Sequence, residues 1–213
     1  LILMLAKQIV PQHLAIRAGG WPRKAYGSVR GKTLGIVGLG RTGKAVAERM
    51  LPFGVIMVAH VPYAGAEFAA ARGIRMVPMD ELFATADFVT LHCPLTTETK
   101  HLIGKRTLGL MKPTAYLVNS SRGGVVNEPE LFEEMKAKRI AGVALDVLEV
   151  EPPAGNPLTT LDNVYFTAHT AGVDVQSRND MAAFAAQAIA KLLGGEWPTD
   201  WIVNPEVKSK WSL

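Results

Sequence analysis

The sequence has little of several features that mark common classes of protein. It contains one cysteine, Cys93, so an internal disulfide and a multi-cysteine metal site are both excluded. The 23 Lys and Arg residues outnumber the 19 Asp and Glu residues only slightly, giving a net charge of +4. Because no long run of basic residues accompanies this small excess, we do not expect a nucleic acid as the main partner.

A long apolar run is also missing. The apolar stretch at the start, from Leu1 to Ala6, is interrupted by Lys7, far short of the roughly 20 apolar residues that cross a membrane. The same stretch lacks the basic start and the cleavage pattern of a signal peptide. We therefore expect no membrane partner and a cytoplasmic location.

The composition is that of an ordinary globular protein, in which short apolar segments alternate with helical ones. Hydrophobic residues make up 48% of the 213 residues and charged residues 20%, which excludes a disordered chain. Strands are predicted at residues 33–40 (with the entry into a turn), 55–59, 74–77, 87–91, 115–119, 141–145 and 164–167. Helices are predicted at residues 1–17 (kinked at Pro11), 41–53, 67–72, 80–85, 105–111, 130–138 and 181–193. Continuously apolar strands that alternate with helices predict an α/β fold with a parallel sheet covered on both faces.

A glycine-rich segment follows the first predicted strand and opens the next helix. Residues 38–43 read Gly-Leu-Gly-Arg-Thr-Gly, the GxGxxG spacing of dinucleotide-binding proteins. In such a loop Gly38 permits a tight turn, Gly40 lets the backbone approach a pyrophosphate, and Gly43 lets the helix pack closely on the strand. Arg41 and Thr42 can add contacts to phosphate. The segment therefore predicts a dinucleotide site.

The second predicted strand ends without the acidic residue that normally binds the adenosine ribose in NAD-binding proteins. His60 and Val61 stand there instead. Val61 can neither bind the ribose 2′-hydroxyl nor repel a 2′-phosphate, and a protonated His60 could favour a phosphate. The sequence therefore leaves two cofactors possible. One is NAD, with its ribose held by backbone contacts alone, and the other is NADP.

Polar residues follow four predicted strands at their carboxyl ends, where open α/β sheets bind ligands. They are His92 and Cys93, Ser120 to Arg122, Asp146 with Glu149 and Glu151, and His169 to Gly172. An arginine suits bidentate binding of a carboxylate, and a histidine beside a carboxylate suits proton transfer near neutral pH. The alternative is that Arg122 forms a simple ion pair in its loop and that His169 is a solvated or capping residue.

Five motifs within residues 31–172 resemble the nucleotide-binding part of the D-isomer-specific 2-hydroxyacid dehydrogenase family. They are GKTLGIVGLGRTG, LHCPLTTETKHLI, MKPTAYLVNSSRGGVVNE, AGVALDVLEVEPP and DNVYFTAHTAG. The resemblance implies a Rossmann-type doubly wound parallel sheet whose N-terminal substrate domain is missing from this chain. Val61, and Ala168 in place of a usual proline, depart from the family pattern.

The resemblance also implies roles for single residues. Arg122 would bind the carboxylate and keto oxygen of the substrate, His169 would donate the proton, and Glu151 rather than Glu149 would orient that histidine. Asp146 would hold the nicotinamide amide. The residues predicted to contact the cofactor are Gly38, Gly40, Arg41, Thr42, Gly43, His60, Val61, Cys93, Pro94, Ser120, Ser121, Arg122, Asp146, His169 and Gly172.

The function that follows is an oxidoreductase that uses NAD or NADP to interconvert a small D-2-hydroxy acid and its 2-keto acid. We expect a homodimer and no metal. Because the resemblance implies that the substrate domain is missing, we expect this chain alone to be poorly active. Its parts would be an interdomain helix at residues 1–20, the dinucleotide-binding domain at 21–172, and a helix with a Trp-rich tail at 173–213. The alternative function is a non-catalytic dinucleotide sensor or corepressor-like module of the same superfamily. An unrelated Rossmann reductase or methyltransferase fits the later motifs poorly.

Overall fold

Within residues 1–61 and 65–211, which the computed structural model describes, seven strands form one parallel sheet. The strands are β1 Thr33–Val37, β2 Ile56–His60, β3 Arg75–Met76, β4 Phe88–Leu91, β5 Tyr116–Asn119, β6 Gly142–Leu145 and β7 Val164–Phe166. The helices are α1 Ile2–Lys7, α2 Ile9–Arg17, α3 Arg41–Met50, α4 Ala66–Ala71, α5 Met79–Thr85, α6 Lys105–Leu110, α7 Glu128–Lys136 and α8 Val175–Leu193. Short 3₁₀ segments lie at residues 51–53, 123–125, 157–160, 199–201 and 205–210. The predicted alternation of strands and helices is confirmed.

The order of strands across the sheet is β3-β2-β1-β4-β5-β6-β7, and every neighbouring pair is parallel. The order reverses between β1 and β4, which is where sheets of this kind bind ligands. Several strands also end level with one another. Val37 pairs with His60 and Leu91, Leu91 with Asn119, Asn119 with Leu145, and Leu145 with Phe166. The loops that leave these strands therefore start from one straight edge.

Helices cover both faces of the sheet, as the apolar strands predict. On one face, α5, α6 and α7 bury residues such as Phe83, Leu108 and Leu131. On the other face, α1 and α3 bury residues such as Leu5 and Ala47. Because β4 and β6 are buried over their whole length, they read, apart from Thr90 in β4, as continuous apolar runs rather than alternating ones.

The first predicted helix, residues 1–17, is interrupted at a different place from the one expected. The predicted kink at Pro11 is wrong: Pro11 lies in the first turn of α2, and the break is at Gln8, whose φ is 49°. The reason is that proline has no N–H to bond the carbonyl four residues earlier and clashes with it. That carbonyl belongs to Lys7, so α1 ends there, and the side chain of Gln12 donates to it instead.

The last long helix, α8, begins six residues earlier than the predicted start at Met181. Its first turn is capped by Asp174, whose carboxylate accepts from Ser177 N–H at 2.8 Å, while the Ser177 hydroxyl accepts from Asp174 N–H at 3.0 Å. This reciprocal pair satisfies helix-start donors that would otherwise lack partners. The capping signal lay upstream of the Ala-rich stretch on which the prediction relied.

By their internal contacts, residues 1–168 and 169–213 form two compact units. The first contains the whole sheet, and the second contains α8 and the tail. In the second unit the Phe184 and Trp201 rings lie 5.6 Å apart, and so do the Trp197 and Trp211 rings.

Among residues 1–61 and 65–211, no helix combines the length and apolar character that a membrane crossing requires.

A carboxylate at the amino edge of the sheet makes the stability of the fold depend on pH. Asp87 accepts hydrogen bonds from Thr33 N–H at 2.8 Å and from Lys112 Nζ at 2.9 Å. Burial acts to raise the pKa of Asp87, but these two bonds, with the charges of Lys112 and Lys32, outweigh it and hold the pKa below its usual value. The stabilisation is therefore present above the unfolded pKa and is lost as the pH falls through the lower folded pKa.

We predict that Asp87→Asn lowers the free energy of unfolding by about 1 to 2 kcal/mol near neutral pH, because it removes a charged acceptor. The difference from the parent should shrink below about pH 4, where the parent carboxylate also takes up a proton. Urea unfolding at both pH values measures this. Asp80→Asn is the control, because the Asp80–Arg106 pair is 60% and 66% exposed and such pairs contribute little. An equal loss for Asp87→Asn at both pH values would contradict the prediction.

Candidate active site

The glycine-rich loop between β1 and α3 brings backbone against backbone. Gly38 has a φ of 94°, and a Cβ there would lie 2.7 Å from Cys93 N in the loop after β4. A Cβ on Gly43 would lie 2.1 Å from the carbonyl oxygen of Gly38. Neither position can hold a side chain without moving the backbone. The loop therefore packs directly against the start of α3 and against the loop after β4, next to the place where the strand order reverses.

The middle glycine faces open space instead. A Cβ on Gly40 would meet nothing within 4 Å, and Gly40 is the N-cap of α3 without a side-chain hydrogen bond of its own. The first N–H groups of a helix lack partners within the helix and carry the positive end of its dipole. Arg41 and Thr42 are exposed beside them. This combination fits a phosphate group, as the spacing of the glycines predicts.

The edge of the site beyond β2 holds His60 and Val61, both half-buried. The His60 ring is tied to the sheet, because its Nδ1 lies 3.0 Å from the carbonyl oxygen of Val77. Residues 62–64 are outside the described part of the chain. Of the described residues at this strand end, neither His60 nor Val61 offers the carboxylate that would select an unmodified ribose.

The loop after β5 is shaped by Asn119, a residue that the sequence analysis did not single out. Its side chain is fully buried, and its Oδ1 accepts from Ser121 N–H at 3.0 Å and from the Ser121 hydroxyl at 2.8 Å. Its Nδ2 donates to the carbonyl oxygen of Arg122 at 3.0 Å. A polar residue at the end of a buried strand was the signal available in the sequence. Asn119 thus holds the turn on which the exposed Arg122 stands.

The loops after β5 and β6 touch through one glycine. A Cβ on Gly123 would lie 2.0 Å from both the carbonyl carbon and the oxygen of Leu148. The N–H of Leu148 donates to Oε1 of Glu151 at 2.9 Å, which fixes that carboxylate on its own turn. Arg122 and Glu151, which the resemblance pairs in one active site, therefore lie on two loops in direct contact.

Two further predicted residues lie inside this edge of the sheet. Asp146 is buried at 3% exposure, and its Oδ1 accepts from the Thr167 hydroxyl at 2.5 Å, so it links the ends of β6 and β7. Cys93 is buried in the loop after β4, and burial raises the pKa of its thiol. A thiol in that state is not an activated nucleophile, which leaves Cys93 as a packed residue next to Gly38.

His92, beside Cys93, is a neutral histidine. Burial lowers its pKa to about 4, and its Nε2 lies 2.9 Å from the hydroxyl oxygen of Thr90. Within the described residues, its buried Nδ1 has no hydrogen-bond partner. His92 therefore carries no charge near neutral pH. The positive potential that would attract a phosphate comes from the start of α3 instead.

The remaining predicted residues are Pro94, Ser120, His169 and Gly172. The Pro94 carbonyl accepts from the Thr99 hydroxyl at 2.6 Å, and Ser120 is half-buried at the start of the Arg122 turn. His169 is the first residue of the second unit, three residues after β7, with a φ of 54°. The Gly172 carbonyl accepts from the Ser177 hydroxyl at 3.1 Å.

In residues 1–61 and 65–211, no group of three His, Cys, Asp or Glu side chains could hold a metal ion.

Comparison with known proteins agrees with this architecture. Residues 1–171 match the family model described as "D-isomer specific 2-hydroxyacid dehydrogenase, NAD binding domain". The chain is 39% identical over 210 residues to a D-3-phosphoglycerate dehydrogenase of Methanocaldococcus jannaschii, covering 97% of this chain and 40% of that enzyme. It is 40% identical over 214 residues to a glyoxylate reductase of Korarchaeum cryptofilum, covering 97% of this chain and 64% of that enzyme.

The fold agrees with a solved structure as well. The crystal structure of the PH0520 protein from Pyrococcus horikoshii matches with a TM-score of 0.86 and 32% identity, over 98% of this chain and 66% of that one. The chain thus spans between two fifths and about two thirds of the length of these relatives. Since the family model covers most of the chain, the protein belongs to the D-isomer-specific 2-hydroxyacid dehydrogenase family, and residues 1–171 correspond to the NAD-binding domain of that family.

Proposed function

We propose that the protein is an NAD(P)-dependent oxidoreductase that transfers a hydride between the nicotinamide and a small D-2-hydroxy acid or 2-keto acid. This chain would contribute the cofactor site and the catalytic side chains Arg122, Glu151 and His169. The observation that carries the proposal is the contact between Gly123 and Leu148. It joins the Arg122 loop to the Glu151 turn at the same sheet edge as the glycine loop.

Arg122 suits the recognition of a 2-keto acid. Its guanidinium offers donors in a planar fork that matches a carboxylate. Its Nη1 also donates to the Ser121 carbonyl oxygen at 2.7 Å, which restrains the direction of the side chain. Arg122 would orient the substrate carboxylate and stabilise the negative charge that develops on the keto oxygen.

His169 and Glu151 would handle the proton. In the reduction, His169 gives a proton to the keto oxygen while the C2 carbon receives the hydride. Glu151, held by Leu148 N–H, would orient His169, and Asp146 would hold the nicotinamide amide. The nicotinamide is the group that supplies or accepts the hydride. These roles follow the family resemblance, and the hydrogen bonds of Glu151 and Asp146 support them.

We predict that His169→Asn lowers kcat for reduction of a 2-keto acid by about 100-fold or more, because the general acid is lost. Arg122→Lys should lower kcat/KM by about tenfold or more, with a raised KM, because a lysine cannot bind a carboxylate bidentately. Oxidation of NADH or NADPH by glyoxylate, hydroxypyruvate and pyruvate measures both effects. The protein assayed should include whatever residues its reading frame places before Leu1.

Matched variants away from the site control for general damage. His13→Asn changes an exposed histidine of α2, and Arg106→Lys changes an arginine that is 66% exposed; neither should alter turnover. If the parent binds a dinucleotide but turns over no 2-keto acid, the proposed function fails and the non-catalytic sensor is the better description. If the parent is active and His169→Asn is equally active, the assignment of the proton donor is wrong.

We further propose that the missing carboxylate at Val61 lets the site accept NADPH as well as NADH. Introducing Val61→Asp should weaken NADPH binding by about tenfold or more, because a carboxylate repels the 2′-phosphate and binds the unmodified ribose. Val61→Asn has the same shape without the charge and should have a much smaller effect. Dissociation constants from nicotinamide fluorescence measure the change. If Val61→Asp leaves the ratio of the dissociation constants for NADPH and NADH unchanged, the adenosine ribose does not lie beside residue 61.

We also propose that the protein is a cytoplasmic homodimer. The support in the first unit is a set of large apolar side chains left in water: Ile9 is 50% exposed, Leu14 59% and Trp21 77%. Exposed apolar surface of this kind often marks an interface. Sedimentation equilibrium should give twice the chain mass, and Leu14→Glu should raise the dimer dissociation constant about tenfold. A monomer at all concentrations tested would rule the dimer out.

A further inference from the structure

One side-chain pair at the carboxyl edge of the sheet joins two loops that do not leave neighbouring strands. His101 Nε2 lies 2.5 Å from Glu149 Oε1, and the two residues are 48 positions apart. His101 lies in the segment between β4 and α6, and Glu149 follows β6. In the sheet, β5 lies between β4 and β6. The pair therefore reaches across the loop after β5, which is the loop that carries Arg122.

The loop after β5 is held on both sides by the two segments that this pair connects. On one side, His101 N–H donates to the carbonyl oxygen of Gly124 at 2.9 Å. On the other side, Gly123 packs directly on the carbonyl of Leu148, the residue before Glu149. The residues just after Arg122 are thus enclosed by main chain on two sides and by the His101–Glu149 pair.

Both ends of the pair are anchored. Glu149 N–H donates to Oε1 of Glu128 at 2.6 Å, and Oε2 of that buried carboxylate accepts from Asn156 Nδ2 at 2.6 Å. His101 has a φ of 54°, a backbone region that side-chain-bearing residues seldom adopt. Histidine is among the residues enriched in that region, and at this position its side chain reaches Glu149.

We propose that His101 and Glu149 are positioning residues, a clasp across the Arg122 loop that sets the place of the Arg122 guanidinium for the 2-keto acid. The proposal rests on the function proposed above. Because the two side chains are 38% and 30% exposed, their pairing contributes little to global stability. Its effect is expected in the geometry of the loop, and so in substrate binding, rather than in the melting temperature.

The first test measures the loop itself and needs no activity. In the full-length protein, hydrogen exchange of a peptide spanning residues 120–126 reports on Val126 N–H, which donates to the Gly123 carbonyl at 2.9 Å. We expect His101→Ala and Glu149→Ala each to accelerate this exchange several-fold. Arg75→Ala, which breaks an exposed pair with Glu81 at the same 2.5 Å separation, should leave it unchanged. Unchanged exchange in both clasp variants would overturn the proposal.

The second test measures the consequence for the substrate. We expect either variant to raise KM for the 2-keto acid about fivefold, with a smaller change in kcat and an unchanged dissociation constant for the dinucleotide. The double variant should be no worse than the single ones, because both remove one interaction. His101→Gln, which keeps a donor, should restore most of the loss. An unchanged KM in both variants of an active parent would overturn the positioning role.

The two tests separate this proposal from the one on which it rests. A parent that reduces no 2-keto acid would refute the proposed function, and the exchange result would still decide whether the clasp holds the loop. Equal melting temperatures of parent and variants show that any kinetic change does not come from unfolding. A lowered melting temperature with unchanged exchange in the peptide would point to a purely structural pair and would overturn the proposal.

Discussion

Every functional feature of this chain depends on the parallel pairing of the strands and on the level at which they end. Val37, His60, Leu91, Asn119, Leu145 and Phe166 are joined by the register of the sheet. Six loops therefore leave the sheet in one line, although they come from distant parts of the sequence. The reversal of strand order between β1 and β4 opens space at that line for the glycine loop. A shift of one residue in any strand would turn its side chains to the opposite face and displace its loop.

The loops at this edge are held by close backbone contacts, and three glycines make those contacts possible. Gly38 meets the loop after β4, Gly43 meets the carbonyl of Gly38, and Gly123 meets the carbonyl of Leu148. In each case a methyl group would need the space that backbone atoms occupy. These contacts differ from the exposed ion pairs on the surface, because they cannot be exchanged for water. The polar side chains Asn119, Glu128 and Glu151 then set the direction of the turns through hydrogen bonds to them.

Much of this could be predicted from the sequence, and the exceptions have physical causes. Strands such as Phe88–Leu91 and the glycine loop are local patterns, and they were predicted within a few residues of their places. The break at Gln8 was displaced because a proline disturbs the helix one turn before itself. The start of α8 was missed because its capping residues, Asp174 and Ser177, lie upstream of the Ala-rich stretch. Asn119 bonds only within its own turn, and a polar residue at the end of a buried strand was its one signal. The His101–Glu149 pair was beyond reach, since it depends on which loops the sheet brings together.

The proposed machinery is divided between parts of the chain that are fixed in different ways. Arg122 and Glu151 belong to the first unit, where hydrogen bonds from Asn119 and Leu148 determine their turns. His169 begins the second unit with a backbone in the left-handed region, just after the Thr167 hydroxyl binds Asp146. The chain just before His169 is thus anchored to the end of β6. Within the first unit, Arg122 and Glu151 stand on two loops that touch where Gly123 packs on the carbonyl of Leu148. The register of the sheet therefore determines the place of the arginine proposed for the substrate together with that of the carboxylate proposed for the proton donor.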